Sequence, residues 1–165
     1  MKHVFLLLSA VTFFGITDIC YAPALTISAP GRYTIGWNVP YDAASGESLI
    51  SIESNNVVLD LEQYTLDQTN STTNVSGISI GNGFSNITII NGRIRNVTGN
   101  GIIITPTSTN SEKITIENIV FENCGLAGLT IQGSGGFSTQ NLVVRNCTFL
   151  DCGRNSAATD IARVS

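Results

Sequence analysis

The sequence predicts an all-β solenoid, a chain wound into a stack of short parallel coils. Three observations carry this expectation. Apolar and polar residues alternate within short segments, the period of a strand and not of a helix. Apolar segments recur every 27 or 28 residues: Leu59-Asp60-Leu61, Ile87-Thr88-Ile89, Ile114-Thr115-Ile116 and Leu142-Val143-Val144. Asparagines keep the same register from one repeat to the next. A self-similar period of this length is the signature of a stacked repeat.

The first element reads as an address. Lys2 and His3 precede an apolar run, Val4 to Ile16, and then a more polar stretch ending in Ala22-Pro23-Ala24. The run falls short of the ~20 residues that span a bilayer. Residues 1–24 are therefore expected to be a secretory signal peptide cleaved after Ala24. Thr17-Asp18-Ile19 is a poor lipidation context for Cys20. A secreted protein, extracellular or periplasmic, follows, with no integral membrane segment after cleavage.

Residues 25–48 read as an N-terminal cap or lead-in. Its Tyr33, Trp37 and Tyr41 can plug the open apolar end of a coil, which a solenoid needs, or form a sugar-stacking platform.

Residues 49–153 carry the repeats. One column holds Leu66, Ile94, Phe121 and Phe149; another holds the pairs Ile50/Ile52, Ile78/Ile80, Ile102/Ile104 and Leu129/Ile131. Polar segments at 67–76, 105–113 and 132–141 should loop outward without disturbing the stack. Asn91, Asn118 and Asn146 align, as do Asn96, Asn123 and Asp151. Asn tolerates left-handed backbone angles, and stacked amides can bond one another every ~4.8 Å. Residues 154–165 form an irregular tail with no clear capping element, so Leu142, Val144 and Phe149 should lie exposed at that end.

The run Asn86-Ile-Thr-Ile-Ile-Asn-Gly-Arg-Ile-Arg-Asn96, then Gly101-Ile-Ile-Ile104 and Ile114-Thr-Ile-Glu-Asn-Ile-Val-Phe-Glu-Asn-Cys124, resembles right-handed parallel β-helix proteins of the pectin-lyase-like superfamily. Ile27-Ser-Ala-Pro-Gly-Arg-Tyr-Thr-Ile35 resembles the lead-in of such domains, and Asn56-Val-Val-Leu-Asp-Leu61 their first full coil. The resemblance covers roughly residues 25–153. It implies a single-stranded right-handed β-helix of about four to five coils with an N-terminal cap. It does not imply one activity, because the superfamily holds lyases, hydrolases, epimerases, adhesins and proteins without a known reaction. Pectate-lyase-like members use aspartates for calcium and a basic residue as proton acceptor; polygalacturonase-like members use clustered aspartates with Gly-His-Gly. Neither pattern is present in this sequence.

Composition narrows the function further. The 165 residues carry 8 Lys and Arg against 12 Asp and Glu, and only two lysines. A formal charge of −4 argues against nucleic acid as a partner. The one histidine, His3, lies in the leader, which leaves no His-based triad or His-rich zinc site. No cofactor and no metal is expected.

The one charged column is Asp67, Arg95, Glu122 and Leu150, with Asp151 beside it. Arg95, Glu122 and Asp151 are the weak catalytic candidates: two acids as an acid/base pair flanking a sugar, with the guanidinium gripping a carboxylate. A solvent-exposed salt-bridge ladder explains the same residues, and Glu117 with Arg145 looks like the same device. Cys124 and Cys152 share a column. A thiol stack filling the core, a disulfide and a metal or redox role all remain open, although parallel Cβ directions suit a disulfide poorly. Asn70, Asn74, Asn86, Asn96 and Asn146 each begin a glycosylation sequon, a pattern that also arises by chance in Asn- and Thr-rich turns.

Three functions are consistent with these features. The first is a secreted, non-catalytic module presenting a surface to polysaccharide or to another protein. The second is the N-terminal part of a polysaccharide lyase or glycoside hydrolase whose catalytic coils lie further on. The third is a structural solenoid that self-associates end to end through an open strand edge.

Overall fold

Alternation becomes burial wherever a strand forms. In Ile102–Ile104 the first and third side chains are buried and Ile103 is half-buried, and Ile87–Arg95 keeps a similar rhythm on both sides of a corner. The computed structural model describes residues 22–36, 38–69 and 73–154. Its strands are β1 (Ala22–Pro23), β2 (Leu25–Ile27), β3 (Gly31–Thr34), β4 (Val39–Asp42), β5 (Ser48–Ile52), β6 (Val57–Asp60), β7 (Thr65–Gln68), β8 (Ser76–Ile80), β9 (Ile87–Arg95), β10 (Ile102–Ile104), β11 (Ser111–Glu122), β12 (Leu129–Ile131), β13 (Thr139–Arg145) and β14 (Thr148–Leu150).

Every pairing is parallel, and the strands stack in three columns. The first is the five-stranded sheet β2-β5-β8-β10-β12. The second runs β3-β6-β9-β11-β13, and the third β4-β7-β9-β11-β14, with β1 along the free edge of β4. β9 and β11 belong to two columns because each passes through a corner without breaking. From Leu25 to Leu129 the chain completes four turns, and β13 and β14 follow. The expected all-β parallel solenoid is therefore what the chain forms.

Like stacks on like, as the period demands. Ile50, Ile78, Ile102 and Leu129 are partners in sequence, and so are Leu66, Ile94, Phe121 and Phe149. The core runs along the axis from Ile27 to Leu129. Each Ile, Leu or Val taken fully out of water there contributes roughly 1.5–3 kcal/mol against the entropy of ordering the coil. Gly101 and Gly128 let the wall close tightly. A methyl on Gly101 would overlap the Gly128 carbonyl and come within 2.5 Å of Phe121 Cδ1.

One register differs from the sequence expectation. Leu59 was aligned with Ile87, but Val57 pairs with Ile87 and Leu59 with Ile89. A slip of two residues preserves which side chains point inward, so alternation cannot detect it. The extra length sits in the corner between β6 and β7, where Glu62 (φ 47°) and Gln63 (φ 68°) bulge out and Tyr64 N–H donates to the Leu61 carbonyl at 2.7 Å. The outward column expected as Asp60, Thr88 and Thr115 accordingly begins with Val58, and Asp60 faces Ile90.

The corners follow a single rule. Asn91, Asn118 and Asn146 have φ between 52° and 60°, as do Asn96, Asn123 and Asp151 at the next corner. Asn91 Nδ2 donates to Asp60 Oδ1 (3.1 Å), and Asn118 Nδ2 to Asn91 Oδ1 (3.1 Å). In the second ladder Asn96 Nδ2 reaches Asp67 Oδ1 (2.8 Å), and Asn123 Nδ2 reaches Asn96 Oδ1 (2.9 Å). A third left-handed column, not expected from sequence, consists of Asn56, Asn86, Lys113 and Asn141, with Asn86 Nδ2 donating to Asn56 Oδ1 at 2.6 Å.

Within residues 25–48, read as the lead-in, β2, β3 and β4 supply one strand to each column. Tyr33 is half-buried against the core and its hydroxyl donates to the Ala29 carbonyl at 2.8 Å. Residues 1–21, Trp37 and residues 155–165 lie outside the described residues, and with them most of the expected leader, one cap aromatic and most of the tail. Ile27 in the first level is 1% exposed, whereas Ile131 in the last is 45% exposed. Leu142, Val144 and Phe149, expected to be exposed at that end, are half-buried. Among the described residues, β12, β13 and β14 each pair on one side only.

Candidate binding groove

The outward side chains of the five-stranded sheet form the floor of a cleft of about 1060 Å³. Thr26, Ser51, Ser79 and Ile103 make that floor, one per level, and Ser79 Oγ donates to Ser51 Oγ at 3.1 Å. Three level spacings of ~4.8 Å separate Thr26 from Ile103, roughly 14 Å along the axis. One wall comes from residues entering each strand: Glu47, Ser48, Asn74, Ser76, Asn100 and Leu126. The other comes from residues leaving them: Glu53, Thr105 and Gln132.

Backbone bonds between levels hold these walls. Glu53 N–H donates to the Ile27 carbonyl (2.9 Å), Thr105 N–H to Ile80 (3.1 Å) and Gln132 N–H to Ile104 (2.8 Å). Across the cleft, Asn100 is buried. Its N–H donates to Ser76 Oγ (3.2 Å), and its Oδ1 accepts from Thr130 Oγ1 (2.6 Å). Most of the lining is thus hydroxyls and amides fixed by a sheet, interrupted by Ile103 and Leu126, and among the described residues its only charges are Glu47 and Glu53. Such a surface offers repeated hydrogen-bond donors and acceptors in a rigid row.

The weak catalytic candidates lie elsewhere, on the third column and its corner. Register does place Arg95 between Asp67 and Glu122, yet its guanidinium turns to Asp67, with Nε–Oδ2 2.8 Å and NH2–Oδ2 2.7 Å. Glu122 is held instead by Arg93 at 2.5 Å. Asp151 pairs with Arg154 at 3.2 Å, and Glu117 with Arg145 at 2.7 Å. Asp67, Glu117, Glu122 and Asp151 therefore each bond a different arginine. These are partly exposed pairs, worth ~0–1 kcal/mol each. Among the described residues no group of three or more His, Cys, Asp or Glu is gathered where a metal ion could be held.

Cys124, Cys147 and Cys152 are free thiols, Cys124 fully buried and the others half-buried. Of the sequon asparagines, Asn86 and Asn96 donate within the corner ladders, Asn146 holds a corner position and Asn74 is exposed at φ 62°. Asn70 lies outside the described residues.

A family described as the right handed beta helix region matches residues 42–163, most of the chain. The chain belongs to the right-handed β-helix family. No curated protein and no solved structure matches it. Membership accounts for the stacked columns and the corner asparagines of this β-helix, and it leaves activity open, because one scaffold carries many functions.

The cleft of the β-helix was only half legible in its sequence. The floor column of Ser51, Ser79 and Ile103 follows from the repeat. The walls do not, since Glu47, Glu53, Leu126 and Gln132 lie outside the strands and none of the four repeats its residue type along its own wall. The available signal is their position, one to three residues outside each strand of the first column.

Proposed function

We propose that the chain is a secreted, non-catalytic binding module whose groove takes a neutral, hydroxyl-rich polysaccharide. The observation that carries this reading is the lining itself. Thr26, Ser51, Ser79, Thr105, Asn74 and Gln132 present hydroxyls and amides, and among the described residues the only charges are the carboxylates Glu47 and Glu53. Carboxylates accept hydrogen bonds from sugar hydroxyls, and they repel a uronate. Among the described residues of the cleft, a polyuronide would meet two negative charges and no guanidinium or ammonium. Export by the N-terminal leader would bring the module to extracellular glycans.

Electrophoresis through gels containing a single polysaccharide tests this reading. A neutral glucan, xylan, mannan or galactan should retard the protein, polygalacturonate should not, and no new reducing ends should appear. Ser79→Tyr, which fills the floor, should abolish the retardation. Retardation by polygalacturonate alone, or turnover of any glycan, would overturn the proposal.

End-to-end self-association is the second reading, favoured by a different observation. Ile131, Val143 and Leu150 on the last level are each 45% exposed, beside strand edges that pair on one side only among the described residues. Concentration-dependent mass in analytical ultracentrifugation, lost in Val143→Lys, would support it. A monomer at every concentration would exclude it.

A further inference from the structure

The lining of the groove changes character along the axis. Charge and hydroxyls gather on the first levels, where Glu47 and Glu53 lie just outside β5 and Thr26 and Ser51 form the floor. From the level of β10 onward apolar side chains enter. Ile103 takes the floor position and Leu126 stands on the wall, both half-buried. Among the described lining residues these two are the only large apolar ones.

Asn100 connects the two. It lines the cleft and is only 7% exposed. Leu126 N–H donates to the Gly99 carbonyl at 2.9 Å, which fixes the leucine beside Asn100 on the same wall. Toward the floor, Asn100 Oδ1 accepts from Thr130 Oγ1 at 2.6 Å, and Thr130 is the register partner of Ile103. The carboxamide is thereby held close to a wall leucine and a floor isoleucine.

That carboxamide is only partly engaged. The Asn100 backbone N–H donates to Ser76 Oγ, and Oδ1 is taken by Thr130. Asn100 Nδ2, an amide nitrogen able to donate twice, has no hydrogen-bond partner among the described residues. The side-chain polar atoms sealed from solvent without a partner are Ser111 Oγ and Thr139 Oγ1, and neither residue lines the cleft. Asn100 Nδ2 is therefore not sealed off. It opens onto the cleft that its residue lines.

A fixed donor beside two apolar side chains is a poor seat for a bare sugar hydroxyl, whose own hydrogen would be pressed against Ile103 and Leu126 without a partner. An acetyl group satisfies both halves of the seat. Its carbonyl accepts from Nδ2, and its methyl covers the apolar pair. We propose that the groove selects an acetylated glycan, with one acetyl group seated at Asn100, Ile103 and Leu126. The seat rests on the reading of the cleft as a polysaccharide groove and narrows what occupies it. The unsubstituted hydroxyls of the same glycan lie toward Ser51 and Thr26, where Glu47 and Glu53 can accept from them. An ester and an amide present the same carbonyl and methyl, so either linkage of the acetyl group to the sugar meets these contacts.

Isothermal titration calorimetry with matched glycan pairs tests the seat. Acetylated glucomannan is compared with the same polymer deacetylated in mild alkali, and the N-acetylglucosamine hexamer with cellohexaose. The first pair varies an acetyl ester and the second an acetyl amide. The acetylated member of at least one pair should bind about tenfold more tightly, and the pair that shows this identifies the linkage. Asn100→Asp keeps an acceptor for Thr130 and removes the donor, so the ratio within that pair should fall to about one. Leu126→Gln, on the half-buried wall, should lower the same ratio and serves where Asn100→Asp does not fold. Equal binding within both pairs, or binding confined to unacetylated glycans, would overturn the acetyl seat and leave the glycan groove standing. A ratio unchanged in the variants would also overturn it. Binding to no glycan at all would remove the groove reading and the seat together.

Discussion

Phe121 and Phe149 stack with ring centroids 4.8 Å apart and planes within 10° of parallel. They are partners in register on neighbouring levels, so their separation is the strand spacing itself. Phe121 is fully buried, and its ring edge lies where a methyl on Gly101 would project. Phe121→Ala removes the largest fully buried side chain and should cost about 3–5 kcal/mol, while Phe121→Leu should cost about 1–2 kcal/mol. Urea denaturation followed by circular dichroism measures both. Equal costs would mean that the ring stack, and not the filled volume, carries the contribution.

Asp60 heads one asparagine ladder and is nearly inaccessible. Its Oδ1 accepts from Asn91 Nδ2 (3.1 Å) and from Glu62 N–H (3.0 Å), and its Oδ2 takes Arg32 at 2.5 Å. Asp60→Ala strands all three donors and should destabilise by about 3 kcal/mol. Asp60→Asn keeps an acceptor for the ladder and should lose about half as much. The same denaturation assay distinguishes the two, and indistinguishable variants would remove Asp60 from the ladder's support.

Asn118 combines a φ of 55° with an amide donated to Asn91. Asn118→Gly keeps the backbone and loses the hydrogen bond, a cost near 1 kcal/mol. Asn118→Ala loses the bond and also forces a Cβ into left-handed geometry, for about 2 kcal/mol in total. Glycine should therefore be the milder substitution, the reverse of its usual ranking inside a strand. An alanine variant more stable than the glycine one would contradict this.

The thiols make stability depend on alkaline pH in two opposed ways. Cys152, pushed down to about 7 by the Cys124 hydrogen bond, ionises more readily folded than unfolded. Its contribution appears as pH rises through about 7 and is complete above the unfolded thiol value of roughly 8.5. Cys124 and Cys147 are both pushed up, so their contribution is full below that value and is lost above it. The urea midpoint should rise slightly between pH 7 and 8.5 and fall beyond, and Cys152→Ser should remove the rise. A steady fall from pH 7 would contradict the sign.

Columns of like residues were readable because stacking repeats the same environment at each level. Ile78, Ile102 and Leu129, or Asn91 and Asn118, could be aligned by eye. The β6 register was not readable, because a two-residue slip keeps Val57 and Leu59 both inward. That slip also hid the third corner column, where Asn56 and Asn86 precede strands, Asn141 lies within β13 and Lys113 interrupts the pattern. The hydrogen-bond partner of Arg95 was out of reach too. Register gives it acids on both sides, and only the positions of the long arginine side chains decide that Asp67 takes Arg95 and Glu122 takes Arg93.

Because Gly92 and Ile119 are partners in register, the 27 residues from Gly92 to Asn118 begin and end at the same point of the winding. They amount to an interchangeable segment. A second copy spliced in after Asn118 would meet the same left-handed corners, the same ladder amides and the same apolar floor that it leaves. The rod would grow by one spacing of ~4.8 Å, and the groove would grow with it. Length in this molecule is a copy number, adjustable by duplication without redesigning any contact.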